Sequence, residues 1–194
     1  MNFRKGRSEM IIEEKYIKLR DGRAALLRSP SADDAEEMLG FLKKVSTETN
    51  FLLRGADDPL MTLGDEKKYL EKNRGSENDL MICCFIDDNG TYRLAGSCGL
   101  SFGARRKTSH RANLGISVLK EFWSLGIGTA LMEEADRAAR EKGALQIELE
   151  FVEGNSRARA LYERCGFRLA GIHPDAFLMP DGTLKNEYLM IKKL

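Results

Sequence analysis

The sequence predicts one α/β domain, of the α+β kind, with seven strands and four helices sharing a core. Three observations carry that prediction. The apolar period switches along the chain between about two and about 3.6 residues. Each of the four helical stretches has recognisable start or stop signals. The chain has 194 residues, 42% of them apolar or aromatic, without repeats, low-complexity segments or a linker. That is enough to bury a sizeable core in one unit. The domain is expected to span residues 1–194, with a leader over residues 1–14 and the packed core from about residue 15.

Taken in order, residues 16–28 alternate loosely and suit a first strand with a turn at Asp21-Gly22. In SPSADDAEEMLGFLKKVS, Ser31 caps a helix, with Asp33 and Asp34 in its first turn and Lys43 and Lys44 near its end, the order the helix dipole favours. A polar, irregular stretch, TETNFLLRGADDPLMTLG, precedes a second helix over residues 65–72. Residues 80–86 and 92–102 read as a hairpin, and residues 110–118 as a strand with Leu114, Ile116 and Val118 alternating. From Ile127 the period lengthens. Ile127, Ala130, Leu131, Ala135, Ala138 and Ala139 share one face, and Glu133, Glu134, Arg137 and Arg140 the other. Residues 145–152 alternate again, Asn155 caps a last helix running to Arg164, and strands near residues 167–172 and 187–191 close the chain.

Bulk properties exclude several functions. With 31 basic and 30 acidic side chains, no charged field points to nucleic acid. Cys83, Cys84, Cys98 and Cys165 have neither metal-ligand nor disulfide-framework spacing. Cys83 and Cys84 lie inside the apolar run LMICCFI and read as core. Reduced thiols imply a cytoplasmic setting. The opening MNFRKGRSEMIIEEKY lacks a signal-peptide pattern, and no apolar run is long enough to span a membrane.

Chemistry concentrates at FWSLGIGTAL, residues 122–131, where Gly126 and Gly128 sit at the mouth of a helix. Two spaced glycines suit a tight turn, yet bare backbone at a helix start also lets a phosphate reach unpaired amides. A nucleotide P-loop is excluded, because Gly128 is followed by Thr129 and Ala130. A dinucleotide fold fits poorly. Its third glycine position is Leu131, and residues 119–125 separate the strand from Gly126, although Glu148 lies where a ribose-binding acid would stand. The run LGISVLKEFWSLGIGTALMEEADRAAREKGALQIELEFVEGNSRARALYERCGF resembles the GNAT acetyltransferase superfamily. It matches in strand, phosphate loop, helix, strand, capping Asn and LYERCGF segment, in order. Trp123 departs from the family loop, which usually has Gln or Arg there, so a cation contact to phosphate is missing at that position.

The resemblance implies a mixed, mostly antiparallel sheet whose two parallel central strands, residues 112–118 and 145–152, splay around acetyl-CoA as cosubstrate. It implies that Ile116, Ser117 and Val118 flank the pantetheine arm. The amides of Leu125, Gly126, Ile127, Gly128 and Thr129 would grip the diphosphate. Asn155 would contact the arm, a role compatible with its capping one. An N–H near Val118 would meet the oxyanion. Tyr162 matches the family's general acid, although its place on an inner helix face equally suits a core aromatic. Glu48 is the preferred base; Glu148 and Glu150 read as solvated, His110 and His173 as surface or turn residues, and no metal site is expected. The implied function is acetyl transfer from acetyl-CoA to a primary amine of a small molecule or peptide, by direct attack in a ternary complex. A non-catalytic acyl-CoA sensor and a nicotinamide enzyme remain as competing classes. No nucleic-acid or membrane partner is expected. A homodimer is compatible with the superfamily, but the sequence identifies no interface.

Overall fold

A computed structural model describes residues 9–88 and 90–194. Among the described residues the order is β1 (Lys15–Lys18), β2 (Ala24–Arg28), α1 (Ala35–Glu48), α2 (Leu63–Arg74), β3 (Asp79–Asp88), β4 (Thr91–Phe102), β5 (Arg111–Val118), α3 (Ile127–Lys142), β6 (Gln146–Val152), α4 (Ser156–Arg164), β7 (Arg168–Leu178) and β8 (Leu184–Lys193). The strands form one open sheet in the order β1-β2-β3-β4-β5-β6-β8-β7. All neighbours pair antiparallel except β5 and β6, which are parallel.

The sheet has eight strands, not seven. The stretch expected to be one strand folds at Asp21-Gly22 into the hairpin β1–β2, pairing Lys15 with Leu27 and Lys18 with Ala24. The last two strands run longer than expected, and Pro174 lies within β7 at a break in register between His173 and Phe177. A proline has no ladder donor to offer, which suits an edge strand. Residues 1–8 of the expected leader lie outside the described residues, while Met10 and Ile12 are buried, and Met10 N donates to Ser76 O at 2.9 Å.

The core lies where helices cover the sheet. Ile82, Cys83, Cys84, Phe85 and Ile86 are consecutive and each at most 1% exposed. Since successive strand residues face opposite ways, both faces of β3 are covered. Helix α3 packs on β3, β4 and β5, while α1 and α2 pack on each other and on β4 and β3. One expected surface residue is inside: Glu134 is 3% exposed, with Arg137 and Lys15 as ion-pair partners. The buried cysteines Cys83, Cys84 and Cys98 are free thiols whose pKa burial pushes up to about 12.

Candidate active site

The parallel ladder between β5 and β6 is short. Arg111, Ala112 and Asn113 pair with Gln146, Ile147 and Glu148, and from Leu114 onward β5 has no partner in β6. The other edge of β5 stays paired with β4 along its whole length. Leu119 N donates to Ala95 O and Gly103 N to Arg111 O, which makes Val118–Gly96 and Ala112–Phe102 the wide, non-bonded pairs of that ladder. Alternation then aims the backbone groups of Ile116 and Val118 away from β4 into the gap, while those of Gly115 and Ser117 bond β4. Ser117, expected beside the cofactor arm with its neighbours, therefore faces the gap with no backbone group. The gap opens into a cleft of about 1460 Å³ that also reaches Glu48, Gly126, Asn155 and Tyr162.

At one end of the cleft stands the front of α3. Gly126 caps it with φ 97°, a left-handed conformation that strains any residue with a Cβ. Ser124 also has positive φ, 64°. Two carbonyls of this loop are pinned by the β1–β2 turn: Arg20 N donates to Leu125 O at 3.1 Å and Arg20 Nη1 to Ser124 O at 3.4 Å. In a trans peptide the C=O and the following N–H point opposite ways. The amides of Leu125 and Gly126 consequently point away from Arg20, and the first amides of α3 are free of helical partners as at any helix start. Gly128 has a separate structural reason. A Cβ there would lie 3.0 Å from Leu161 Cδ2, so its bareness lets α4 pack against α3.

Trp123 is built into this corner. Its indole Nε1 donates to Val118 O at 2.8 Å, and the Arg157 guanidinium lies 4.5 Å from the ring centroid. Arg157 Nη1 also donates to Ser124 Oγ at 3.2 Å. Neither Arg20 nor Arg157 was singled out from the sequence. A signal for Arg157 existed: a cation in the first turn of α4 opposes the helix dipole and needs another explanation.

Tyr162 is 6% exposed and sits between Phe151 and Phe167, with ring centroids at 5.7 and 6.2 Å. Burial pushes its pKa up to about 12, and its hydroxyl makes no hydrogen bond among the described residues while its side chain reaches the cleft. Asn155 caps α4 by accepting from Ala158 N at 3.2 Å. Glu48 is not in the irregular loop; it ends α1 and lines the cleft, its Oε2 accepts from Lys120 N at 2.7 Å, and Oε1 has no hydrogen-bond partner among the described residues. Glu148 is less solvated than expected: it is half-buried and pairs with Arg111 at 3.3 Å, whereas Glu150 is exposed and accepts from Asn113 Nδ2 at 3.0 Å. His173 is exposed and 3.6 Å from Glu187, and His110 is exposed. Among the described residues no group of three His, Cys, Asp or Glu side chains is arranged to hold a metal, and no helix is long and apolar enough to cross a membrane.

Comparison with known proteins agrees with this architecture. The model of the acetyltransferase (GNAT) family matches residues 51–167. An acetyltransferase of the GNAT family from Streptococcus pneumoniae superposes with a TM-score of 0.80 at 29% identity, covering 88% of this chain and 99% of that one. The fold also matches yncA of Salmonella typhimurium, solved with its cofactor acetyl-CoA, with a TM-score of 0.72 at 13% identity over 88% of this chain and 94% of that one. In sequence, YxbD of Bacillus subtilis (strain 168) is 34% identical over an alignment of 82 residues that covers 36% of this chain and 52% of that protein, so the match spans about half of that relative's length.

Proposed function

The chain belongs to the GNAT acetyltransferase family, and on that premise we propose that it moves an acetyl group from acetyl-CoA to a primary amine of a small molecule or peptide, by direct attack in a ternary complex. One observation carries the reading: the β5–β6 ladder stops after Asn113 and Glu148, and the gap it leaves ends at the amides in front of α3. The cleft, about 1460 Å³, exceeds the range of about 300–1,000 Å³ typical of small-ligand pockets, so a long cosubstrate and an acceptor fit together. Residues 15–194 are read as one catalytic domain.

Acetyl-CoA supplies an activated thioester. The chain's part is to hold it and to manage protons. Ile116 extends the β5 ladder to the pantetheine arm, as an added strand would, and the Val118 N–H stands at the thioester end of that arm. Ser117 flanks the arm through its side chain. Leu125, Gly126, Ile127, Gly128 and Thr129 offer amides to the diphosphate, and Asn155 borders the arm while capping α4. As the amine nitrogen bonds the acetyl carbon, negative charge grows on the carbonyl oxygen, and the Val118 N–H is aimed to receive it. When the C–S bond breaks, Tyr162 gives its proton to the sulfur. Glu48 Oε1, directly or through water, takes the proton that the amine loses. With Oε2 already held by Lys120 N, the carboxylate is fixed in orientation.

A thiol-release assay over amino acids, polyamines, aminoglycosides and peptides, run beside calorimetric titration with acetyl-CoA, tests the reading. Micromolar binding and release with at least one amine are expected. Binding without release across the panel would leave the sensor reading in its place, and absence of binding would overturn both.

A further inference from the structure

Where the family loop usually has Gln or Arg, two residues before Leu125, this chain has Trp123. We propose that Arg157, held on the face of Trp123, is the cation that binds the diphosphate of acetyl-CoA, and that Trp123 is the residue that positions it. The proposal rests on the cofactor reading above.

Geometry supports it first. Arg157 comes from the first turn of α4, yet its guanidinium lies over the Trp123 ring at 4.5 Å and reaches Ser124 Oγ at 3.2 Å, beside the amides of Leu125 and Gly126. The indole is itself fixed, because Nε1 donates to Val118 O. A cation over an indole face is attracted by the ring quadrupole and keeps its outward N–H donors available.

Charge placement is the second, independent support. Helices α1 and α2 each carry acids in the first turn, Glu36 and Glu37 in one and Asp65 and Glu66 in the other. Helices α3 and α4, whose front ends border the cleft, carry none. An acid at a helix front is favourable, and a cation there is unfavourable. The corner thus forgoes its two cheapest neutralising side chains and adds Arg157 against the dipole of α4. The positive potential left over is suited to a polyanion, and a diphosphate in contact with both helix fronts would remove the unfavourable placement of Arg157.

The test compares three probes on wild type and Arg157→Gln: CoA, 3′-dephospho-CoA and S-acetylpantetheine, which has no phosphate. The variant is expected to bind both CoA forms about tenfold more weakly, the size of one charge-assisted contact, with S-acetylpantetheine unchanged and the loss appearing in KM while kcat stays. Arg157→Lys should recover part of the affinity. Trp123→Phe should weaken CoA severalfold, and adding it to Arg157→Gln should cost little more, because the two act as a unit. Equal losses for all three probes would make Arg157 a structural residue and overturn the proposal. A loss for CoA alone, with 3′-dephospho-CoA unaffected, would move the contact to the 3′-phosphate and overturn it as stated. Unchanged CoA affinity in Arg157→Gln overturns only this assignment; a wild-type protein that does not bind CoA overturns the cofactor reading with it.

Discussion

Tyr162 shows how an environment that packs a side chain also suits it to the proton transfer proposed for it. Two aromatic rings, Phe151 and Phe167, and the inner face of α4 account for its burial, and a phenylalanine would fill the same space. The hydroxyl is what packing does not explain: it is unbonded, and burial pushes its pKa to about 12. The sign matters. Raised above the ordinary value of about 10, the group stays protonated throughout the range in which amines lose their protons. Its contribution to stability is complete below about pH 10 and declines only as pH climbs through about 12. The rate should therefore rise with pH as the acceptor deprotonates and show no falling limb below about pH 11. Tyr162→Phe should fold normally and lose roughly 10²-fold in kcat. A pH–rate profile of both proteins checks this, and an unchanged kcat would return Tyr162 to the core alone.

Among the elements, those specified by local pattern were legible from the sequence. Helix α3 was readable because Ile127, Leu131, Ala135 and Ala138 repeat at helical spacing, and α4 because Asn155 caps it. The turn of the β1–β2 hairpin was legible at Asp21-Gly22, but the loose alternation around it did not resolve two separate strands. The gap between β5 and β6 was accessible only through family resemblance, since the register of non-local parallel strands leaves no local trace. Arg20 escaped for the same reason, acting on a loop 104 residues away in sequence, whereas Arg157, 33 residues from its loop, left one local trace, its place against the dipole of α4. Two element-level consequences follow. A Cβ on Gly96 would meet Ile127 Cγ2 at 3.1 Å and Ser117 O at 3.2 Å, so β4 holds α3 at close range. Gly96→Val should cost about 1–3 kcal/mol in urea unfolding and weaken CoA, because the front of α3 must shift. Glu66, 2% exposed in the first turns of α2, has its pKa raised by burial alone. Such a group costs nothing below its unfolded pKa and penalises the fold increasingly as pH rises through its folded one. Glu66→Gln should thus stabilise the protein more at pH 7.5 than at pH 4, read from urea midpoints at both.

At the scale of the molecule, the interior of the sheet parts where the β5–β6 ladder ends after Asn113 and Glu148. Buried or half-buried backbone donors without partners are rare, and Ile116 and Val118 are partly buried with N–H groups facing the gap, while their neighbours Gly115 and Ser117 bond β4. Amide exchange in the free protein should alternate along a single strand: fast at Ile116 and Val118, slow at Gly115 and Ser117. A ligand that adds to the ladder should abolish the alternation by slowing Ile116 and Val118 and leaving the other two unchanged. The same linkage should appear globally. CoA at 100 times its Kd stabilises by about 2.7 kcal/mol, which for a chain of this size raises Tm by roughly 5–11 °C. Exchange resolved by residue discriminates between mechanisms where melting cannot. A ligand bound elsewhere would raise Tm without selective slowing at Ile116 and Val118, whereas one lying between the splayed strands must produce both, because closing that edge is how its binding energy reaches the fold.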